Sequence, residues 1–190
     1  MTDPKSSKDG GRSLFWGCVS QIVIAAILFG GGVWWVYNDF VLGADVKRAG
    51  KIFWAALSKT RQLSATKHRA YFVVFDATGH YITIYEDTDN SRTFTSADDR
   101  DAIGNPVKLP FDVTFAKVPG PWLGVRPDGS LIWPPEGTPD IPSAEFDRLL
   151  ADPATANGDV ILEKTETGER ACIDLDPVTG IVRKIAYPRK

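Results

Sequence analysis

The first pattern along the chain is an apolar run from Leu14 to Tyr37 that contains no formal charge. As a helix its roughly 24 residues would rise about 36 Å, more than the ~30 Å hydrocarbon core of a bilayer. Trp16 stands at one end and Trp34, Trp35 and Tyr37 at the other, where aromatic rings settle at membrane interfaces. The pattern predicts one membrane-spanning helix. A buried core helix is the alternative, but nothing later in the chain has the apolar surface to wrap it. A cleaved secretory signal would have a shorter apolar core and a small-residue cleavage site, whereas this run ends in aromatics. Gly30, Gly31 and Gly32 interrupt the run; such residues either soften a helix or admit close approach of another. Gln21 is the strongly polar side chain inside it, placed to hydrogen-bond a neighbouring helix or to sit near the headgroups.

From Phe40 to Ser64 the apolar spacing turns amphipathic. Leu42, Val46, Ala49, Phe53, Ala56, Thr60 and Leu63 recur at three- and four-residue steps, with Lys47, Arg48, Lys51, Lys59 and Arg61 between them. With no proline from Lys5 to Asn105, span and stripe can form one helix of roughly 50 residues, about 75 Å long. Val46, Ala49 and Phe53 are the expected seam between this helix and a following domain.

The remainder reads as β-structure. Strands are predicted at Ala70–Phe75, His80–Glu86, Val107–Val118, Trp122–Val125, Ser130–Trp133, Gly158–Lys164, Arg170–Leu175 and Ile181–Tyr187. Turns are predicted at Asp76-Ala77-Thr78-Gly79, Arg126-Pro127-Asp128-Gly129, Glu166-Thr167-Gly168 and Thr179-Gly180. Pro134–Asn157 reads as a loop with a short helix at Ala144–Leu150. The expected organisation is a basic cytoplasmic leader (1–13), a transmembrane helix (14–37), an amphipathic continuation (38–66) and an antiparallel β-domain (67–190). The class is α+β.

Charge adds little. Twenty-two basic and 24 acidic residues leave a net charge of −2, with no basic footprint for nucleic acid. Lys5, Lys8 and Arg12 precede the span and Lys47, Arg48 and Lys51 follow it, so the positive-inside bias is slight; it is read with the N-terminus cytoplasmic and the domain across the membrane. Cys18 and Cys172 lie far apart and imply no disulfide.

The order of parts, with Arg126-Pro127-Asp128-Gly129-Ser130, Gly158-Asp159-Val160-Ile161-Leu162, Ile173-Asp174-Leu175 and Thr179-Gly180-Ile181-Val182-Arg183, resembles the H-type minor pseudopilins of type II secretion and the FimT-like minor pilins of type IV pili. The resemblance covers most of Val41–Lys184. It implies a pilin-like fold, a long helix packed on an antiparallel sheet, in a structural subunit of the inner membrane whose partners are other pilin-like subunits. It also implies leader processing after Gly17, with Cys18 as the new, methylated terminus. Family members carry a Glu a few residues into the apolar helix, which neutralises a neighbour's terminal amine. Here no carboxylate occurs from Arg12 to Asn38, and Gln21 can hydrogen-bond but not neutralise. The alternative is a stand-alone membrane-anchored periplasmic β-domain that binds a ligand or scaffolds a complex.

Candidate chemistry is sparse. Asp87-Thr88-Asp89-Asn90, with Asp98, Asp99 and Asp101 beyond, admits calcium at Asp87 and Asp89. A solvated acidic loop is preferred, because the glycine pattern of calcium loops is missing and Arg92 and Arg100 intrude. The two histidines, His68 and His80, form no metal-spaced pair, and no nucleophile–base, P-loop or His-Glu-x-x-His motif occurs. No enzyme activity, cofactor or small-molecule substrate is expected. Trp122 and Trp133 are either core residues or part of a partner-binding edge, with Trp133 assigned to the core.

Overall fold

The structure is a computed structural model that describes residues 44–188, apart from 77, 96, 97, 99–101, 136, 138, 139 and 153. The Leu14–Tyr37 segment therefore lies outside the described residues. So do Gly17, Cys18, Gln21, Gly30, Gly31 and Gly32. Among the described residues no helix is long and apolar enough to cross a membrane.

Among the described residues, helix α1, Ala44–Lys67, is followed by nine strands and one further helix. Strands β1 (Tyr71–Phe75), β2 (Tyr81–Glu86), β3 (Val107–Lys108), β5 (Trp122–Val125) and β6 (Leu131–Ile132) form sheet A, in the order β3-β2-β1-β5-β6. Strands β4 (Val113–Lys117), β7 (Val160–Lys164), β8 (Arg170–Leu175) and β9 (Val182–Ala186) form sheet B, in the order β4-β7-β8-β9. Every pairing is antiparallel. The class is α+β, but the strands divide between two sheets, and one helix serves both.

The helix buries Val46, Ala49, Gly50, Phe53, Ala56, Leu57, Thr60 and Ser64. This is the expected stripe from Val46 to Thr60, widened by Gly50 and Leu57, and at its end Ser64, not Leu63, takes the fully buried position. The reason is close approach. The Ser64 hydroxyl lies 2.6 Å from the Arg69 carbonyl oxygen and 3.1 Å from that of Val125 on β5, a site too tight for leucine and supplied with acceptors. Opposite the stripe, the core takes Val73 and Phe75 from β1, Leu123 and Val125 from β5, Val160 and Leu162 from β7, and Ala171, Ile173 and Leu175 from β8.

Alternation along the strands sends the other side chains to two outer layers. Phe72 on β1 and Trp122 on β5 meet edge to face with ring centroids 5.2 Å apart, and Phe94 covers Phe72 at 5.8 Å. Trp122 is thus core, on the outer face of sheet A. Trp133 is partly buried against the main core. On sheet B, Ile161 and Cys172 face outward under Phe146 of helix α2 (Ser143–Leu150). Cover on both faces explains why the central strands β1, β5, β7 and β8 are buried almost continuously rather than in alternation.

One predicted strand divides. Val107–Val118 alternates throughout, yet β3 pairs with β2 in sheet A and β4 pairs with β7 in sheet B. The break falls at Pro110-Phe111-Asp112. Proline cannot donate to a ladder, and Asp112 takes φ of 61°. Phe111 is 81% exposed at this crossing.

The turns that carried the family resemblance converge. Asp128 accepts from the Ser130 amide and hydroxyl at 2.9 and 2.6 Å. Asp176 accepts from the Val178 and Thr179 amides at 2.9 and 3.0 Å. The Leu131 amide donates to the Pro177 carbonyl at 2.8 Å, tying the end of sheet A to sheet B. Gly180, at φ of 62°, packs so closely that a Cβ there would lie 2.3 Å from the Gly129 carbonyl oxygen. No other residue fits that backbone and that gap.

Candidate functional site

The seam residues Val46, Ala49 and Phe53 are all 2% exposed or less. Phe53 sits centrally, stacked on Phe75 at 6.3 Å and edge-on to Phe115 at 6.2 Å. At the first turn, Asp45 pairs with Lys164 of β7 at 3.0 Å. This ties the helix entry to sheet B, and the partnership pushes the Lys164 ammonium pKa up. The opposite face of α1 carries exposed Trp54, Lys47, Arg48 and Lys51.

Two carboxylates of the acidic stretch are buried rather than solvated, while the loop around Asp89 to Thr93 is exposed as expected. Asp87 and Asp98 are 1% and 0% exposed. Their oxygens are occupied by donors of the same loop. Asp87 accepts from the amides of Ser91 and Arg92, both at 3.1 Å. Asp98 accepts from the amides of Thr88 and Thr95, both at 2.9 Å, and from both threonine hydroxyls. Exposed Asp89 accepts from the Ser91 amide at 2.8 Å. The carboxylates hold the loop in shape and let Phe94 close over sheet A. The spacing was visible in the sequence, but the inward direction of the side chains was not.

A second carboxylate cluster was not anticipated. Asp140, Asp159 and Asp174 bring oxygens within 4.8 Å of one another. Val160 pairs with Ile173, so Asp159 and Asp174 stand side by side on neighbouring strands, on the face covered by α2. Asp140 comes from the loop before α2. Asp159 is anchored by the Ile141 amide at 2.7 Å and the Leu175 amide at 2.8 Å. Asp174 accepts from the Ser143 hydroxyl at 3.2 Å through Oδ2. Buried Oδ1 atoms of Asp140 and Asp174 accept no hydrogen bond. Burial pushes the Asp159 carboxyl up to about 6 and moves Asp140 and Asp174 the same way. The only sequence trace of this site is Asp159 and Asp174 within strand-like motifs, where a carboxylate breaks the apolar pattern.

A cavity of about 450 Å³ opens at the end of α1, lined among others by His68, Arg69, Asn90, Arg92 and Arg126. Arg69 is engaged by Glu86 at 2.8 Å. Cys172 is fully buried and its thiol is pushed up to about 11 by burial, the opposite of an activated nucleophile.

No protein-family model matches the chain, and no curated protein matches it. Among solved structures it is similar to the minor pseudopilin EpsH from the type 2 secretion system of Vibrio cholerae. That similarity has 12% sequence identity and a TM-score of 0.45, over 77% of this chain and 99% of that one.

Proposed function

We propose that the protein is a structural subunit of the minor pseudopilin or minor pilin kind, anchored by Leu14–Tyr37 and assembling through its N-terminal helix. One observation carries the reading: α1 commits a single face to the two sheets and starts only a few residues after the apolar run ends. The outward face of α1, with Trp54 52% exposed among basic residues, is left for neighbours. Gly30, Gly31, Gly32 and Gln21 then act as helix–helix contacts within the bilayer. The domain lies on the periplasmic side and the role is architectural rather than catalytic.

The missing carboxylate between Arg12 and Asn38 favours a tip position, where no subunit ahead requires charge pairing. It equally favours the rival, a membrane-anchored module that does not polymerise. Intact-mass measurement of the membrane-extracted protein separates them. Loss of residues 1–17 with a methylated Cys18 terminus is the expected result. A full-length chain throughout would refute processing and favour the stand-alone module.

A further inference from the structure

We propose that Asp140, Asp159 and Asp174 form a calcium site on the outer face of sheet B, closed by the loop that leads into α2. The first argument is charge. Two carboxylates on directly neighbouring strands repel, and here both residues are only 2% exposed and a third carboxylate joins them. The nearby positive charge is shared, with Arg183 acting on Asp140 as well as on Asp174 and Asp176. Arg183 reaches Asp174 Oδ1 only at 3.8 Å, and it is bound more closely to Asp176 at 3.2 Å. Lys117 interacts with Asp159 but directs its ammonium to Asn157 at 3.1 Å. Lys184 is paired with Asp147.

The second argument is valence. Asp174, 2% exposed, keeps Oδ1 free of any hydrogen bond, and so does half-buried Asp140. A buried acceptor without a donor costs about 1–3 kcal/mol, and more when charged. The Asp87, Asp89 and Asp98 cluster shows the contrast, since amides and hydroxyls already fill it. One cluster is built as a hydrogen-bonded staple; the other has acceptors in excess.

The donor set names the ion. It is all oxygen, with no imidazole or thiolate, which selects a hard cation. Ca²⁺ takes six to eight oxygens at ~2.3–2.6 Å in a flexible geometry, which suits carboxylates converging from different segments of the chain. Mg²⁺, at ~2.1 Å with near-octahedral demands, fits an irregular carboxylate set less well. Each Asp159 oxygen accepts one amide and keeps a second lone pair for the metal.

The test is calorimetric titration of CaCl₂ into the full chain at neutral pH, in non-ionic detergent after treatment with a chelator, with thermal melts in parallel. One saturable site is expected, with a melting temperature that rises with calcium. Asp140→Asn and Asp174→Asn are expected to weaken binding by about ten-fold or more, whereas Asp89→Asn leaves it within about two-fold. Should Asp174→Asn fail to fold, Asp140→Asn, on the half-buried loop, decides. The proposal is overturned if calcium to about 10 mM gives neither heat nor a melting shift, which would mean that protons balance the cluster. It is also overturned if Asp140→Asn binds like the wild type, if Asp89→Asn abolishes binding, or if magnesium binds as tightly.

Discussion

Replacing Phe53 by alanine tests the junction on which the architecture depends. Phe53 is 0% exposed and its ring packs against both Phe75 and Phe115, which also touch each other, with Val46, Ala49 and Leu57 in the same cluster. Phe→Ala in a packed core costs about 3–5 kcal/mol, from lost transfer free energy and the cavity left behind. Two ring pairs, each worth ~0.5–1.5 kcal/mol beyond area, place this site in the upper part of that range. With a urea slope of about 2 kcal/mol/M, the midpoint should fall by about 2 M. Trp54→Ala, one residue along but 52% exposed, should change stability by no more than about 0.5 kcal/mol. The assay is urea unfolding of both variants in detergent, followed by circular dichroism. A Phe53→Ala loss below about 1 kcal/mol, or a Trp54→Ala loss as large as it, would refute the seating of α1 on the two sheets.

Other outcomes follow from the same geometry. Tyr71 is 1% exposed and donates to Glu86 at 3.0 Å; burial pushes its phenol up to about 12 from 10. A group whose folded pKa is raised contributes stability present below its unfolded value and lost as pH rises. Stability should therefore fall between pH 10 and 12, by up to about 3 kcal/mol, and Tyr71→Phe should flatten that slope in urea midpoints measured across the range. At the Asp45–Lys164 pair the lysine side chain is 9% exposed and the aspartate 39%. Asp45→Ala, which strands a buried ammonium, should therefore cost about 1–3 kcal/mol and more than Lys164→Met; equal costs would sink the argument. Gly50→Ala replaces a helix-interior glycine where the new Cβ would meet Tyr187 Oη at 3.4 Å and Ile185 at 3.5 Å. It should raise the midpoint by up to about 1 kcal/mol equivalent, and a fall would mean that Tyr187 cannot yield. Cys172 should resist alkylation in the folded protein and react on unfolding, as peptide mapping would show.

The α1 stripe, most of the strands and the Asp-Gly and Thr-Gly turns were legible because each is dictated locally, by side-chain period, proline placement and turn chemistry. Val46, Ala49 and Phe53 repeat with the helix whatever packs on them. Three things depended on the tertiary fold. Val107–Val118 alternates as one strand, and only the two-sheet arrangement splits it at Pro110 and exposes Phe111. Ser64 outranks Leu63 because a carbonyl of β5 lies beside it, a contact separated by 61 residues. Carboxylate direction is also non-local. Asp87 and Asp98 turn inward to amides of their own loop, while Asp140, Asp159 and Asp174 meet through strand pairing and a returning loop. Periodicity registers where an apolar side chain belongs, because burial stabilises it at every turn of the pattern. A single aspartate has no such repeat, and whether it meets water, an amide or two other carboxylates is decided by what the fold brings opposite it.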